Sequence, residues 1–315
     1  MSEAYKYYLK FWGTRGSLPV NSPAHRKYGG NSSCVEIRRH RQSIIFDAGS
    51  GLHLLGEELM AELACEKNSK RAKEAKEAKG KNKEAPHEQA GRDIDIFISH
   101  FHTDHICGLP FFAPLFDPHF TIRLHYITDD KEGAARVPET DKLKSILENY
   151  MSSPFNPIGL AGFKANYSFC PHKAGEVIKL GAFSIISHPI PHPNGCHAYR
   201  ISDGTYDIVY ATDTEHIRGK LNENLVHFIK NSNLLIYDST YDDTQFARYI
   251  GFGHSTWQEG IRLCQAANIE KLAIFHHSPQ ATDDALDKIA AKARKLWAGA
   301  FVAADFQLLK LADER

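Results

Sequence analysis

The chain has 315 residues, 42% of them hydrophobic and 24% charged, the composition of a soluble globular protein. Its 38 lysines and arginines balance 38 aspartates and glutamates, so no global field draws in nucleic acid or an anionic membrane. The 18 histidines are the outlier. Six cysteines (34, 65, 107, 170, 196 and 264) form no CxxC pair and read as reduced thiols rather than a disulfide framework. No apolar run approaches the roughly 18 residues of a membrane span, and MSEAYKYYLK lacks the apolar core of a signal peptide. A cytoplasmic protein is expected.

In chain order, residues 5–12 read as a strand, broken by the glycine-bracketed loop Gly13-Thr14-Arg15-Gly16-Ser17. A second turn-rich stretch, Gly29-Gly30-Asn31-Ser32-Ser33, leads into short strands at 34–37 and 43–49, the pattern of an antiparallel sheet edge. Leu52, Leu55, Leu59 and Leu63 then recur at helical spacing. Residues 66–92 break the pattern, with eight basic residues between Lys67 and Lys83 among glutamates and alanines, and almost nothing to bury. They read as a solvated helix or a flexible insertion; the interleaved glutamates weaken the case for a nucleic-acid arm. After a strand at 94–98 come an aromatic segment, a strand at 122–127, a helix at 141–150 and a proline-stiffened loop. Strands follow at 177–180, 183–188, 197–202 and 207–211. The last third alternates strand 234–237, helix 255–267, strand 271–275, helix 283–297 and strand 301–311. Antiparallel strands early and βα units late predict one α/β domain over 1–315, with a charged insertion at about 66–92 and a lid-like insertion at about 128–170.

The chemistry concentrates after the strand at 94–98. His100, His102, Asp104 and His105 fall within six residues, at the point where a pleated strand gives way to a loop and can aim several side chains into one small volume. Imidazole with carboxylate suits zinc or another borderline divalent metal. Later strands end in further candidates: His188 and His192, then Asp213, then His276 and His277. Singly, each reads as a hydrogen-bonded structural residue. As a set in one strand-end position, they supply what a pair of metals with open coordination positions needs.

His100-Phe101-His102-Thr103-Asp104-His105 is the HxHxDH signature, and from Asp47 to His276 the chain resembles the metallo-β-lactamase superfamily. The resemblance implies a four-layer αββα sandwich and two divalent ions, zinc first, manganese or iron as alternatives. It implies that His100, His102 and His192 hold one ion, that Asp104, His105 and His276 hold the other, and that Asp213 bridges. Choosing His276 over His277 rests on the resemblance alone.

His192 followed by Ala198-Tyr199-Arg200-Ile201, and Leu234 to Thr240 followed by Gly253-His254-Ser255-Thr256, resemble the ribonuclease Z and PhnP-like branch. There an acid orients a histidine that helps the phosphate leave, which implies an Asp238–His254 pair beside the metals. Phosphodiester hydrolysis needs an ionised water, neutralised non-bridging oxygens and a protonated leaving oxygen; two metals do the first two and a cationic histidine the third. His254 could instead be part of the cap of the helix at 255, with no chemistry. The loops at 13–17 and 29–33 resemble a bacterial group described as cyclic-nucleotide phosphodiesterases, which puts Arg15 and Asn31 forward as substrate contacts, with turn roles open for both; Ser255, beside His254, is a third candidate contact.

The expected function is therefore a dinuclear-metal phosphodiesterase acting on a small nucleotide, a cyclic one foremost, with Asp104, His254 and Asp238 as its catalytic groups. The alternatives are a ribonuclease Z-like endonuclease, a lactonase- or thioesterase-type metallohydrolase, and an inactive nucleotide-binding module. Against the endonuclease, residues 107–192 hold prolines and aromatics but no glycine-rich basic arm for RNA. The resemblance also implies a homodimer.

Overall fold

In a computed structural model, residues 7–77, 92–128 and 139–311 are described. The strands, in chain order, are β1 (Tyr7–Gly13), β2 (Cys34–Arg39), β3 (Gln42–Phe46), β4 (Arg92–Ile98), β5 (Phe120–Thr128), β6 (Asn166–Lys173) and β7 (Val177–Leu180). They continue with β8 (Phe183–Ile190), β9 (Cys196–Ser202), β10 (Asp207–Ala211), β11 (Leu234–Asp238), β12 (Lys271–Phe275), β13 (Ala300–Val302) and β14 (Leu308–Lys310). The helices are α1 (Gly51–Glu77), α2 (Thr103–Ile106), α3 (Glu139–Tyr150), α4 (Glu223–Ile229), α5 (Trp257–Ala267) and α6 (Asp283–Leu296).

Two mixed seven-stranded sheets run in the orders β14-β1-β2-β3-β4-β5-β6 and β13-β12-β11-β10-β9-β8-β7. Three apolar layers hold them together, because successive side chains of a strand face opposite ways. Ile44, Phe46, Phe97, Ile185, Tyr210 and Phe275 pack between the sheets. Leu52, Leu55, Leu59 and Leu63 of α1 cover the outer face of the first sheet, over Ile94, Ile96 and Ile98. Leu225, Ile261, Leu263 and Leu286 of α4, α5 and α6 cover the outer face of the second. This is the expected αββα layering.

Within each sheet the later strands run parallel: β3 to β6 in the first, β10 to β13 in the second. Their C-terminal ends gather along one edge, where the loops that leave a parallel sheet can build a site.

Three expectations change in detail. The strand expected at 301–311 is two: β13 pairs with β12 in the second sheet and β14 with β1 in the first. The chain crosses between sheets at Asp305, whose partly buried carboxylate accepts from Thr14 Oγ1 (3.0 Å), Gly30 N (3.0 Å) and Asn31 N (2.9 Å). The charged stretch begins as an unbroken continuation of α1 to Glu77, and residues 78–91 lie outside the described part. The stretch at 128–170 ends in β6, and Leu143, Leu147 and Met151 of its helical part enter the core under the first sheet; residues 129–138 are outside the described part. All six cysteines are free thiols. Among the described residues, no helix is long and apolar enough to cross a membrane.

Candidate metal centre

β4 ends at Ile98, the chain bends at Ser99, and the rings of His100 and His102 come to 4.5 Å from each other. His102 then takes the N-cap position of α2, and the first helical turn swings Asp104 and His105 up beside them. The other donors come from the second sheet. His192 follows β8, Asp213 follows β10 and His276 follows β12. Asp213 and His276, together with Asp47 after β3, have φ of 57°, 58° and 60°. Three non-glycine residues in the left-handed region at one strand edge mark strain that the surrounding bonds must hold.

Two donor clusters result. His100 Nε2 and His192 Nε2 lie 2.9 and 3.0 Å from His102 Nδ1. His105 Nε2 lies 3.1 Å from both Asp104 Oδ2 and Asp213 Oδ2, and His276 Nε2 lies 3.3 and 3.1 Å from the same two oxygens. Asp213 reaches both clusters, since its Oδ1 is 3.8 Å from His100 Nε2 and from His192 Nε2.

The rings are oriented from behind. His100 Nδ1 donates to Ser99 Oγ (3.0 Å), which itself donates to Asp47. His192 Nδ1 donates to Gly253 O (2.8 Å), His105 Nδ1 to Asp47 Oδ2 (2.6 Å) and His276 Nδ1 to Thr240 Oγ1 (3.1 Å). Each therefore presents an Nε2 lone pair inward, the arrangement metal-binding histidines use. His105 Nε2 is buried and has no hydrogen-bond partner among the described residues, although two carboxylates flank it. Converging lone pairs and an orphaned nitrogen fit two cations better than they fit one another.

Electrostatics agree. Burial holds His100 well below the usual imidazole range and lowers His102 and His192, so all three stand as neutral donors. Burial opposes ionisation of Asp104 and Asp213, yet the adjoining His105 and His276 hold both carboxyls below their usual range. Around His105, burial is outweighed by Asp104, Asp213 and Asp47, three carboxylates that favour positive charge there.

Beside the clusters, His254 Nδ1 donates to Asp238 Oδ2 at 2.9 Å, and its ring stacks 5.0 Å from that of His276. Asp238 is fully buried and is fixed by Thr214 N, Thr240 N and Thr240 Oγ1. Burial lowers the affinity of His254 for a proton, but the charge and hydrogen bond of Asp238, with Asp213 and Asp104, push its pKa up to about 9. His254 does not cap the following helix: Thr256 does, its side chain accepting from Glu259 N.

The side chains of the three expected substrate contacts are taken up inside the protein. Arg15 is fully buried, and its guanidinium donates to the carbonyls of Gly29, Ser278 and Ala281, so it ties loops together and cannot meet a substrate. Asn31 is used at both ends of its amide, by Asp305 (3.1 Å) and Ser50 (3.3 Å). Ser255 is buried between His216 and Tyr237. His277, adjacent to the candidate ligand His276, donates to Ala303 O instead. The sequence reading missed Ser17, whose backbone N donates to Asp104 Oδ2 (2.7 Å), and Thr240, which links Asp238 to His276. The signal for the first was Gly16: a Cβ there would lie 2.2 Å from the His276 ring, so only glycine lets that loop approach the site.

Residues 44–277 match the family model described as a beta-lactamase superfamily domain, a span that contains every candidate ligand. The chain is 27% identical over 260 residues to ribonuclease Z of Halalkalibacterium halodurans, covering 70% of this chain and 81% of that one. The solved metallo-β-lactamase fold protein YhfI from Bacillus subtilis superposes with a TM-score of 0.63 at 18% identity, covering 96% of this chain and 98% of that one. A diphosphatase from the PhnP family does so at 0.61 and 17%, covering 97% and 98%. The chain belongs to the metallo-β-lactamase superfamily, related at low identity to ribonuclease Z and the PhnP-family diphosphatases.

Proposed function

We propose that this metal-dependent hydrolase is a dinuclear-metal phosphodiesterase acting on a small nucleotide, cyclic ones among the candidates. The observation that carries the reading is the Asp238–His254 pair. Thioester cleavage expels a thiolate that departs unaided, which leaves no evident task for a buried carboxylate that keeps an imidazole charged beside two metal clusters. A phosphodiester does, because its alkoxide leaving group must be protonated. Bound divalent ions supply Lewis acidity that ionises water and neutralises the non-bridging phosphate oxygens.

The chain's own residues do the rest. His254, with Nδ1 held by Asp238, is left with Nε2–H to give to the departing oxygen. Asp104, kept ionised and anchored by Ser17 N, accepts a hydrogen bond from the attacking water. Asp213, whose Oδ1 faces one donor cluster and Oδ2 the other, would help to hold both ions. The relatives named ribonuclease Z support phosphodiester chemistry and keep an RNA endonuclease as the second reading.

The test is hydrolysis of bis(p-nitrophenyl) phosphate by protein loaded with zinc or manganese; inactivity with both overturns the proposal. His254→Ala should lose on the order of 10²–10⁴-fold against an alkyl leaving group and far less against p-nitrophenolate, which leaves unaided. Equal losses would remove His254 as the acid. A panel of 2′,3′- and 3′,5′-cyclic nucleotides beside a precursor tRNA separates the two readings.

A further inference from the structure

Between β11 and α5, residues 241–255 form a loop tied down at both base and tip. At the base, Tyr241 N donates to Ser255 O (3.0 Å), while Thr256 Oγ1 and Arg262 Nη1 both reach Asp243 (2.8 Å each). The middle is filled by Phe246, stacked 4.0 Å from His216. At the tip, Gly251 N and Gly253 N both donate to Glu215 Oε2, at 2.7 and 2.8 Å, with φ of 92° and 84° that other residues rarely adopt. Between these two glycines the clamp holds out Phe252, 62% exposed. Keeping an aromatic ring in water is unfavourable, and the two bonds to Glu215 hold the backbone on either side of it.

This loop is continuous with the reacting site. Gly253 O orients His192, and the next residue is His254. From His254 a row of rings runs outward: Tyr241 at 6.1 Å, edge-on; Tyr249 stacked on Tyr241 at 4.3 Å; and Phe252 edge-on to Tyr249 at 5.7 Å. An acid marks the leaving-group side of a phosphodiester, because its proton goes to the oxygen that departs. Whatever is attached to that oxygen must therefore project past His254, towards these rings.

Resting on the phosphodiesterase reading, we propose that the 241–255 loop is the leaving-group subsite, and that the leaving group is a nucleoside whose base stacks on Phe252. Bases offer a π-face whatever their identity, and aromatic side chains bind them by stacking. In the reaction the water oxygen bonds to phosphorus and releases its proton to solvent. The P–O bond to the nucleoside breaks with its electron pair on the nucleoside oxygen, and that oxygen takes the proton of His254.

The test compares a dinucleoside monophosphate with the methyl ester of the same nucleotide; both have alkoxide leaving groups and need the acid alike. The ratio of their kcat/KM values should favour the dinucleoside, fall on the order of tenfold in Phe252→Ala, and return in Phe252→Trp. An unchanged ratio in Phe252→Ala overturns the proposal, as does a change from dimer to monomer at unchanged ratio, which makes Phe252 a contact between copies. If the wild type hydrolyses no phosphodiester, the phosphodiesterase reading fails, and binding decides the subsite. Calorimetry on the metal-loaded protein should then show adenosine monophosphate binding more tightly than ribose 5-phosphate, with the difference erased in Phe252→Ala. Equal binding of the two overturns it.

Discussion

His277 turns away from the ligand cluster and donates from Nε2 to Ala303 O at 2.8 Å, fully enclosed, while the ring of His276 faces Asp104 and Asp213. Burial, with Arg15 and His276 nearby, lowers the His277 pKa to about 3 despite its hydrogen bond to Ala303. Metal analysis should find about one ion fewer in His276→Ala and the full complement in His277→Gln. The pH behaviour of the metal-free protein follows from linkage. His277 has a folded-state pKa below its unfolded value, so the unfolded chain takes up a proton near pH 6.5 that the folded chain refuses until about pH 3. Its contribution is complete above pH 6.5 and is lost as pH falls through that window, by about 2 kcal/mol between pH 6.5 and 5. Urea midpoints of the chelated protein should therefore drop more steeply with acid in the wild type than in His277→Gln; parallel curves would contradict the assignment. The sequence alone could not separate these two histidines. They follow the same strand, and the backbone at His276, with φ of 58°, decides which ring faces the donor cluster.

At the scale of elements, the strands carrying ligands were legible because each is a short apolar run ending in a donor side chain, and parallel strands must end along a common edge. β14 was not, because residues 301–311 read as one strand in which Asp305 passes for an ordinary polar position, with no mark that the chain leaves one sheet for the other there. That point is Asp305, whose meaning lies in three donors from residues 14–31. Nor did sequence show what fastens the long helix α1 to its sheet. Its leucine stripe was evident, but Glu62 also accepts from Arg38 (2.7 Å) and Arg92 (2.5 Å), both arginines more than nine-tenths buried. Glu66 adds a second contact to Arg92. Removing one partner of a largely buried ion pair leaves uncompensated charge, whereas exposed pairs matter little. Glu62 is partly exposed, so Glu62→Ala should cost about 2 kcal/mol, less than a fully enclosed pair. Chemical denaturation reads this directly, and a loss within 0.5 kcal/mol of zero would make the network incidental.

Taken as a whole molecule, the donor set divides between the two sheets. His100, His102, Asp104 and His105 hang from the first, and His192, Asp213 and His276 from the second. Each cluster in turn draws on both sheets: His192 closes the first, while Asp213 and His276 close the second. Bound ions would therefore cross-link the sheets at the edge where the strand ends are strained, and their binding energy becomes folding energy because the unfolded chain holds no such site. An ion present at a thousand times its dissociation constant adds about 4 kcal/mol. Stripping both ions with a chelator should lower Tm by at least about 5 °C, and adding zinc or manganese should restore it. The loss should be larger than that of His254→Ala, which leaves the cross-link intact. An unchanged Tm after verified metal removal would mean that the interlayer core of Phe46, Phe97, Tyr210 and Phe275 holds the sheets without help, and that the ions serve chemistry alone.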